Sequence, residues 1–257
     1  MSQSVKISGI VLTFNEEKNI ARCLQSMQAV CDEIVVVDSF STDKTQEICE
    51  SFGVRFYQNA WPGFKEQKNF AQDKAEYDHV LQLDADEEVS AELQKSILAV
   101  KANWQYDGYF SNRFTNYCGK WIRHSGWYPD AKLRLYDRRK GNWQGLDPHP
   151  HVIMQEGATS SKLKGDLLHY SFYSHEELVN RSAGYARQAA EAMLKTGKKY
   201  SGFKLIVSPF FRFWKDYIFL GGFRDGFEGL VICAVAAYYT FLKYMYLKTL
   251  KSGGSAS

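Results

Sequence analysis

The stretch Leu81-Gln82-Leu83-Asp84-Ala85-Asp86-Glu87-Glu88 decides the fold class of this chain. Val80, Leu81 and Leu83 form a short apolar run that is typical of a buried strand, and two carboxylates follow where that strand should end. In open α/β sheets the ligand crevice lies beyond the carboxyl ends of the strands. Mg²⁺ is typically held there by one or two carboxylates together with substrate phosphates. Taken alone, the same short pattern also occurs as a solvated turn.

Three upstream segments repeat this form of an apolar run followed by polar residues, at residues 7–14, 33–37 and 54–57. Helical patterns separate them, with one helix face over residues 20–27 and a helix start signal at Asp43. Strands that alternate with helices predict a parallel sheet built from right-handed crossovers. Asp38 and the Asp84/Asp86 pair therefore end separate strands at the same rim of one sheet.

The segments 11–16 (VLTFNE), 34–45 (IVVVDSFSTDKT) and 83–86 (LDAD) resemble three motifs of the GT-A type inverting glycosyltransferases of family 2, in the same order. The resemblance covers roughly residues 6–90. It implies an α/β, Rossmann-like, mostly parallel sheet flanked by helices, a UDP-sugar donor, and Mg²⁺ or Mn²⁺ as cofactor. One departure is Ser39-Phe40, where the family usually has Asp-Gly, although Asp38 is retained.

The resemblance also implies roles for single residues. Asp86 would bind the metal, with Asp84 as a second ligand or a contact to ribose. Asp38 would accept a hydrogen bond from the uracil ring. The other donor-binding candidates are Thr13, Asn15, Glu16 and Lys68. Lys68 would lie near the diphosphate, and the alternative for it is a surface lysine.

The catalytic base is predicted in or near residues 143–151 (WQGLDPHPH), because many members of the family place an acid after a strand like the one at 133–136 (LRLY). Inverting transfer needs a carboxylate or imidazole within hydrogen-bond reach of the attacking hydroxyl. Some members have His-Glu where this chain has His149-Pro150, so the usual acid is displaced. Asp147 is the first candidate, His149 the second and Asp130 the third.

Later motifs narrow the resemblance to bacterial enzymes that extend the lipopolysaccharide inner core. They are 126–130 (GWYPD), 133–136 (LRLY), 147–149 (DPH), 168–171 (LHYS) and 221–230 (GGFRDGFEGL). This likeness implies a β-1,4-glucosyltransferase that uses UDP-glucose and a heptose acceptor, and hence a lipid-linked saccharide as partner. His124, His169 and His175 are interpreted as structural or acceptor-side residues.

Composition agrees with one catalytic unit of 257 residues, which can bury a sizeable core. We expect a GT-A domain over residues 1–172, with a donor half at 1–90 and an acceptor half at 91–172. A helical extension would follow at 173–250 and a flexible tail at 251–257. The amino-terminal residues lack a secretory signal pattern, and the five cysteines show no C-x-x-C spacing, which predicts a cytoplasmic protein with neither disulfide nor zinc.

Charge and aromatic patterning suggest partners. Net charge is only +3, but basic residues crowd positions 120–140, either as a solvated outer face or to pair with an anionic acceptor or diphosphate. Nucleic acid is not expected, because a rim rich in carboxylates would repel a phosphate backbone. The helical segments after Ser174 are rich in aromatic and basic residues, which predicts peripheral binding to an anionic membrane surface, at the inner face of the cytoplasmic membrane. The alternatives are a helical cap over the sheet and a membrane-spanning helix.

Two other function classes fit parts of the pattern. Nucleotidyltransferases also combine such a sheet with a carboxylate pair, but they need a glycine-rich basic loop after the first strand, where this chain has Phe14-Asn15-Glu16-Glu17. A non-catalytic membrane adaptor on the same fold is the other class, and the intact Asp38, Asp84 and Asp86 argue against it. The sequence defines neither the transferred sugar nor the oligomeric state.

Overall fold

The computed structural model of the chain describes residues 4–145 and 150–252. The first elements are β1 Ile7–Thr13, α1 Ile20–Gln28, β2 Glu33–Asp38, α2 Thr45–Ser51, β3 Arg55–Gln58, α3 Phe64–Asp73, β4 His79–Asp84, β5 Glu87–Val89 and α4 Ala91–Ala102. The further strands are β6 Gly108–Tyr117, β7 Lys120–Trp121, β8 Ala131–Asp137, β9 Gly141–Gln144, β10 His151–Met154 and β11 Ser160–Phe172. The carboxyl-terminal helices are α5 His175–Lys195, α6 Gly202–Trp214 and α7 Gly226–Lys251, with a π turn Lys215–Phe219 and a 3₁₀ turn Gly222–Asp225 between the last two.

The described residues divide into two compact units. The first contains the residues up to Phe114 and Asp130–Tyr170, and the second contains Thr115–Pro129 and the residues from Ser171 onward. The expected contiguous division at residue 172 stays a prediction, and in the contacts of the structure residues 115–129 group with the carboxyl-terminal helices. The reason is a set of tertiary bonds that the local sequence pattern does not reveal. His124, for example, bonds through its backbone N–H and its Nδ1 to the Asp225 carboxylate, at 2.8 and 2.9 Å.

The first unit is built on a mixed sheet with the strand order β3-β2-β1-β4-β8-β6-β11-β5. β1 pairs in parallel with β2 and β4, and β2 pairs in parallel with β3, which confirms the predicted α/β architecture in the amino-terminal part. β8 pairs antiparallel with β4 and β6, and β11 pairs antiparallel with β5. The carboxyl ends of β1, β2 and β4 lie side by side, because Thr13 pairs with Asp38 and Leu12 with Asp84.

Both faces of the parallel strands are covered, which explains their nearly continuous apolar sequences. Because successive side chains of a strand point to opposite faces, β1 places Ile7 and Val11 in one buried cluster and Ile10 and Leu12 in another. The first cluster is closed by α1 and α4, and the second by α3. This two-sided core holds the strand ends, and the loops that follow them, in place.

The antiparallel part of the first unit is tied together at Asp107, just before β6. Its carboxylate accepts hydrogen bonds from Lys140 Nζ at 2.6 Å and from the Thr159 backbone N–H at 2.8 Å. The Lys140 hydrogen bond is the largest of the effects that lower the pKa of Asp107, to about 2. Asp107 therefore links the turn after β8 to the start of β11.

In the second unit, α7 packs closely on the 3₁₀ turn that precedes it. A Cβ placed on Gly229 would lie 1.9 Å from the carbonyl oxygen of Gly222, so only glycine allows this approach. Lys120 Nζ donates a hydrogen bond to the Asp225 carbonyl oxygen and also pairs with the Glu228 carboxylate at 3.0 Å. These bonds hold the β6–β7 hairpin end against the beginning of α7.

Candidate active site

Asp38 and Thr13 occupy neighbouring register positions at the ends of β2 and β1, and both are buried. The Asp38 carboxylate accepts the Ser41 backbone N–H at 2.8 Å and the Ser41 hydroxyl on its other oxygen. The Thr13 hydroxyl is buried and has no hydrogen-bond partner among the described residues. Because a buried hydroxyl without a partner is costly, this position favours a bound ligand that would complete its bonding.

Asn15 and Glu16 connect the loops that follow β1 and β2. Asn15 adopts a positive φ of 54°, a region in which asparagine is enriched, and its side-chain oxygen accepts the Thr42 N–H at 2.8 Å. The Glu16 N–H donates to the Thr45 hydroxyl at 2.8 Å, and its carboxylate accepts from Asn19 at 2.7 Å. These bonds fix the conformation of the two loops at the rim of the candidate nucleotide site.

Asp84 is neutralised by two buried cations. Its Oδ1 pairs with Lys68 Nζ at 2.5 Å and its Oδ2 with an Arg134 Nη at 2.9 Å. The same Arg134 nitrogen contacts Glu87, which is also buried, at 2.8 Å. Burial by itself raises the pKa of Asp84, but Lys68 and Arg134 together hold it well below its usual range. Asp84 is therefore an ionised carboxylate with both oxygens engaged by cations.

Asp86 instead faces a histidine. Its Oδ2 lies 3.2 Å from His169 Nε2, and the Tyr170 N–H donates to the Asp86 carbonyl at 2.9 Å. The antiparallel pairing of β11 with β5 sets this geometry, since His169 lies opposite Glu87 in the register. Burial raises the pKa of Asp86, but the adjacent imidazole outweighs it and the pKa is lowered.

A carboxylate and an imidazole at this separation fit a divalent metal, because both groups are common ligands of such ions. No group of three or more potential His, Cys, Asp or Glu ligands occurs among residues 4–145 and 150–252. The protein would therefore supply Asp86 and His169, and the remaining positions would be filled by donor phosphates and water. Asp84, which was predicted as a second ligand, is instead occupied by Lys68 and Arg134 in this arrangement.

Trp143 at β9 packs on the two cations. The Lys68 ammonium lies 4.5 Å and the Arg134 guanidinium carbon 5.6 Å from its ring centroid. The indole N–H donates to Gln82, and the backbone N–H donates to Asn69 at 3.0 Å. Trp143 therefore covers the Lys68 ammonium and the Arg134 guanidinium.

The three predicted bases differ in what the structure describes. Asp147 and His149 lie outside the described residues. Asp130 has both carboxylate oxygens engaged, one by the Arg113 guanidinium at 2.9 Å and the other by Lys132 Nζ at 2.9 Å. It therefore offers no carboxylate oxygen free of a cation in this arrangement.

Four residues of this site were not assigned these roles from the sequence. His169 was interpreted as structural or acceptor-side, and Arg134 as one member of a basic stretch. Glu87 and Trp143 were given no role of their own. The sequence signals for His169 were its place in the motif 168–171 (LHYS) and its position after the apolar pair Leu167-Leu168, and neither identifies the strand that pairs with this segment.

Comparison with known proteins identifies the family of the chain. Residues 8–158 match Glycosyl transferase family 2. The chain belongs to this family. It is 32% identical over 255 residues to an uncharacterized glycosyltransferase of Rickettsia typhi, covering 95% of this chain and 87% of that protein. It is 28% identical over 250 residues to the lipopolysaccharide core biosynthesis glycosyltransferase LpsC of Rhizobium meliloti, covering 94% of this chain and 92% of that protein.

Two solved structures are also similar to this family 2 glycosyltransferase. One is TarS 1-349 of S. aureus in complex with UDP, at a TM-score of 0.45 and 19% identity, covering 98% of this chain and 93% of that chain. The other is glucosyl-3-phosphoglycerate synthase of Mycobacterium tuberculosis with Mn²⁺, UDP and glucosyl-3-phosphoglycerate, at a TM-score of 0.48 and 15% identity, covering 77% of this chain and 82% of that chain.

Proposed function

We propose that this family 2 glycosyltransferase transfers a hexose, with glucose as the first candidate, from a UDP-sugar to a saccharide acceptor, with inversion and with a divalent metal. The observation that carries the proposal is the Asp86–His169 pair beside the neutralised Asp84. This pair lies at the sheet rim that also holds Asp38. The similarity to LpsC supports a heptose of the lipopolysaccharide inner core as the acceptor.

Donor binding would use two parts of the rim. Asp38 and the unsatisfied Thr13 hydroxyl would bind the base and ribose side, since the Ser41 contacts already orient the Asp38 carboxylate. Lys68 and Arg134 would lie on the diphosphate side. The Arg134 Nε is buried and lacks a hydrogen-bond partner among the described residues, so it can donate to a phosphate oxygen.

Transfer with inversion requires a charge-compensated leaving group and a deprotonated acceptor hydroxyl. A bound divalent ion would supply Lewis-acid stabilisation of the departing diphosphate. Asp86 and His169 would hold that ion, while Lys68 and Arg134 add fixed positive charge. The base that takes the hydroxyl proton is assigned to Asp147 first and His149 second, since both Asp130 oxygens are engaged by cations.

The acceptor is proposed to be lipid-linked, which would place the enzyme at the inner face of the cytoplasmic membrane. One helical segment, Gly222–Lys251, is long and apolar enough to cross a membrane by length and composition, with a mean hydropathy of 1.5. One third of its most apolar window is buried within the protein. We propose peripheral attachment on the aromatic and basic composition of the helical segments after Ser174.

The test is UDP release from a panel of UDP-sugars in Mn²⁺ or Mg²⁺, with and without a heptose-containing core acceptor. Acceptor-stimulated UDP release from one UDP-hexose, lost in Asp86→Asn and kept in the matched exposed control Asp73→Asn, would support the proposal. Pyrophosphate release from a nucleoside triphosphate would instead assign a nucleotidyltransferase. Release of neither product, with a folded protein, would leave the adaptor.

A further inference from the structure

α6 has an apolar sequence but buries none of its residues. Phe203 is 74% exposed, and Phe210 and Phe211 are 65% and 66% exposed. An amphipathic helix of a globular protein normally turns its apolar stripe towards the core. The exposed apolar side of α6 therefore lacks a covering element within the described residues.

The exposed apolar residues lie on one side of the helix. They are Phe203, Ile206, Val207, Phe210, Phe211 and Trp214, here called the α6 face. At 3.6 residues per turn, these six positions fall within an arc of about 140°. Lys204 and Lys215 lie just beyond one edge of the arc. This arrangement is typical of a helix that lies in the plane of a membrane interface.

The apolar surface continues beyond α6. Phe219 in the π turn is 79% exposed and Phe223 in the 3₁₀ turn is 49% exposed. An apolar groove of about 370 Å³ runs between α6 and α7, and Ile206 and Phe210 line it together with Phe241. Exposed apolar area on this scale exceeds the scattered single residues of an ordinary soluble surface.

The exposed charges of the segment that carries this surface, residues 195–224, are of one sign. Asp216, the only acidic residue in the described stretch from Lys195 to Arg224, is buried and paired with Arg212 at 2.5 Å. The exposed cations besides Arg212 are Lys195, Lys198, Lys199, Lys204, Lys215 and Arg224. A surface with an apolar centre and positive flanks is complementary to an anionic lipid leaflet.

From this combination we propose that the α6 face inserts into the headgroup boundary of one anionic phospholipid leaflet, with the helix axis in the membrane plane. This inference deepens the proposed membrane location by assigning it to α6, and it does not depend on the sugar chemistry. Ile232 and Leu242 of α7 are buried within the protein, and the proposal assigns membrane contact to the α6 face and not to a span by α7.

The first test measures co-sedimentation of the full chain with vesicles of phosphatidylglycerol and phosphatidylethanolamine, without donor or acceptor. Binding should weaken from 0.1 M to 1 M salt, because the Debye length falls from about 10 Å to about 3 Å. Phe210→Glu/Phe211→Glu should abolish binding. Leu98→Glu, the same change at an exposed apolar residue of α4, should not.

A charge test separates electrostatic attraction from apolar insertion. Each basic residue near an anionic surface changes partitioning by about fivefold. Lys204→Glu/Lys215→Glu should therefore weaken vesicle binding by about tenfold or more, whereas Lys95→Glu on the exposed side of α4 should leave it unchanged. Neutral phosphatidylcholine vesicles should bind the wild type more weakly than anionic ones.

The fluorescence of Trp214 reports insertion of the α6 face. The chain has six tryptophans, so the quenching by brominated lipids must be taken as the difference between wild type and Trp214→Phe. We expect this difference to be largest for bromine near the glycerol end of the acyl chain. Quenching remains decisive if the Phe210→Glu/Phe211→Glu protein fails to fold.

Several results would overturn the assignment. Failure of the wild type to bind anionic vesicles would do so, as would unchanged binding of the α6 variants. So would resistance of the bound protein to alkaline carbonate extraction, or a dimer in solution that the Phe210→Glu/Phe211→Glu change dissociates. Carbonate resistance would assign α7 as a span, and the dimer would assign the face to a second copy. A failure of vesicle binding would leave UDP release untouched, so the two proposals fail separately.

Discussion

Replacing Arg134 with methionine should strongly destabilise the protein, because it removes the central cation of the buried network. The guanidinium contacts Asp84 at 2.9 Å and Glu87 at 2.8 Å, and both Arg134 and Glu87 are almost fully buried. Methionine preserves apolar bulk beside Trp143 but supplies no charge. Glu87 would then keep the Asp84 N–H, which donates to it at 3.1 Å, and the Arg113 guanidinium, whose nearest nitrogen is 3.9 Å away.

The size of the destabilisation depends on the cations that remain beside Glu87 and Asp84. Removing one partner of a buried ion pair typically costs about 3–5 kcal/mol of unfolding free energy, because a buried charge is left uncompensated. Arg113 beside Glu87, and Lys68 beside Asp84, compensate in part, so we expect the lower end, about 3 kcal/mol. For a chain of this size that corresponds to a fall in Tm of about 6–12 °C.

The assay is thermal unfolding of a double-mutant cycle. Glu87→Gln removes the stranded charge, so Glu87→Gln/Arg134→Met should be more stable than the sum of the two single changes predicts, by about 1 kcal/mol or more. Arg187→Met is the matched control, because Arg187 pairs with Glu191 at 3.5 Å on the exposed surface of α5. Such a pair contributes about 0.3–0.5 kcal/mol.

The reasoning would be refuted by an Arg134→Met protein whose Tm lies as close to wild type as that of the Arg187→Met control. Strict additivity in the cycle would also refute it, since it would show that Glu87 does not depend on Arg134 for compensation. The same variants should bind UDP more weakly than wild type if Arg134 lies on the diphosphate side, as calorimetry would show.

Four further predictions concern single residues. Asp86→Asn should abolish metal-dependent UDP release, and His169→Ala should raise the Mn²⁺ concentration for half-maximal activity by about tenfold or more; metal titrations that match wild type would contradict the assignment. Asp38→Ala should weaken UDP binding without metal by about tenfold or more, because a hydrogen bond to a charged group is lost, and equal calorimetric affinities would exclude this role. Asp147→Asn should lower kcat far more than donor affinity, as expected for a group that acts only in the chemical step; near-normal turnover would move the base elsewhere. The pKa of Asp107 is lowered to about 2, so its carboxylate stabilises the fold fully above its unfolded pKa of about 3.9 and loses that effect as the pH falls through about 2. The melting curves of Asp107→Asn and wild type should therefore converge as the pH falls to about 2. A constant difference in Tm between pH 7 and pH 2 would disprove this role.

The local sequence pattern was sufficient to predict the parallel half of the sheet. The apolar runs of β1, β2 and β4, separated by helix periodicity, predicted a covered parallel sheet, and the structure confirms it. The helix after Asp43 was also predicted, although α2 begins at Thr45 because the Asp43 carboxylate accepts the Thr45 N–H at 3.0 Å. These features depend on neighbours in sequence, so one chain reveals them.

The partners of the site carboxylates could not be predicted in the same way. Asp84 meets Lys68 of α3 and Arg134 of β8, and Asp86 meets His169 of β11, through pairings between strands distant in sequence. Strand periodicity shows which residues face the core, but it does not state which strand lies beside which. The sequence therefore predicted Asp84 as a metal ligand without revealing the two cations that pair with it.

The sequence by itself determined the family, the strand ends that carry Asp38, Asp84 and Asp86, and the aromatic, basic character of the carboxyl-terminal helices. Tertiary structure decided that His169 joins Asp86, that residues 115–129 belong with those helices, and that the α6 aromatics remain exposed. The physical reason is that composition specifies which side chains are apolar, whereas only long-range packing specifies which of them find an apolar neighbour and which meet solvent or a membrane.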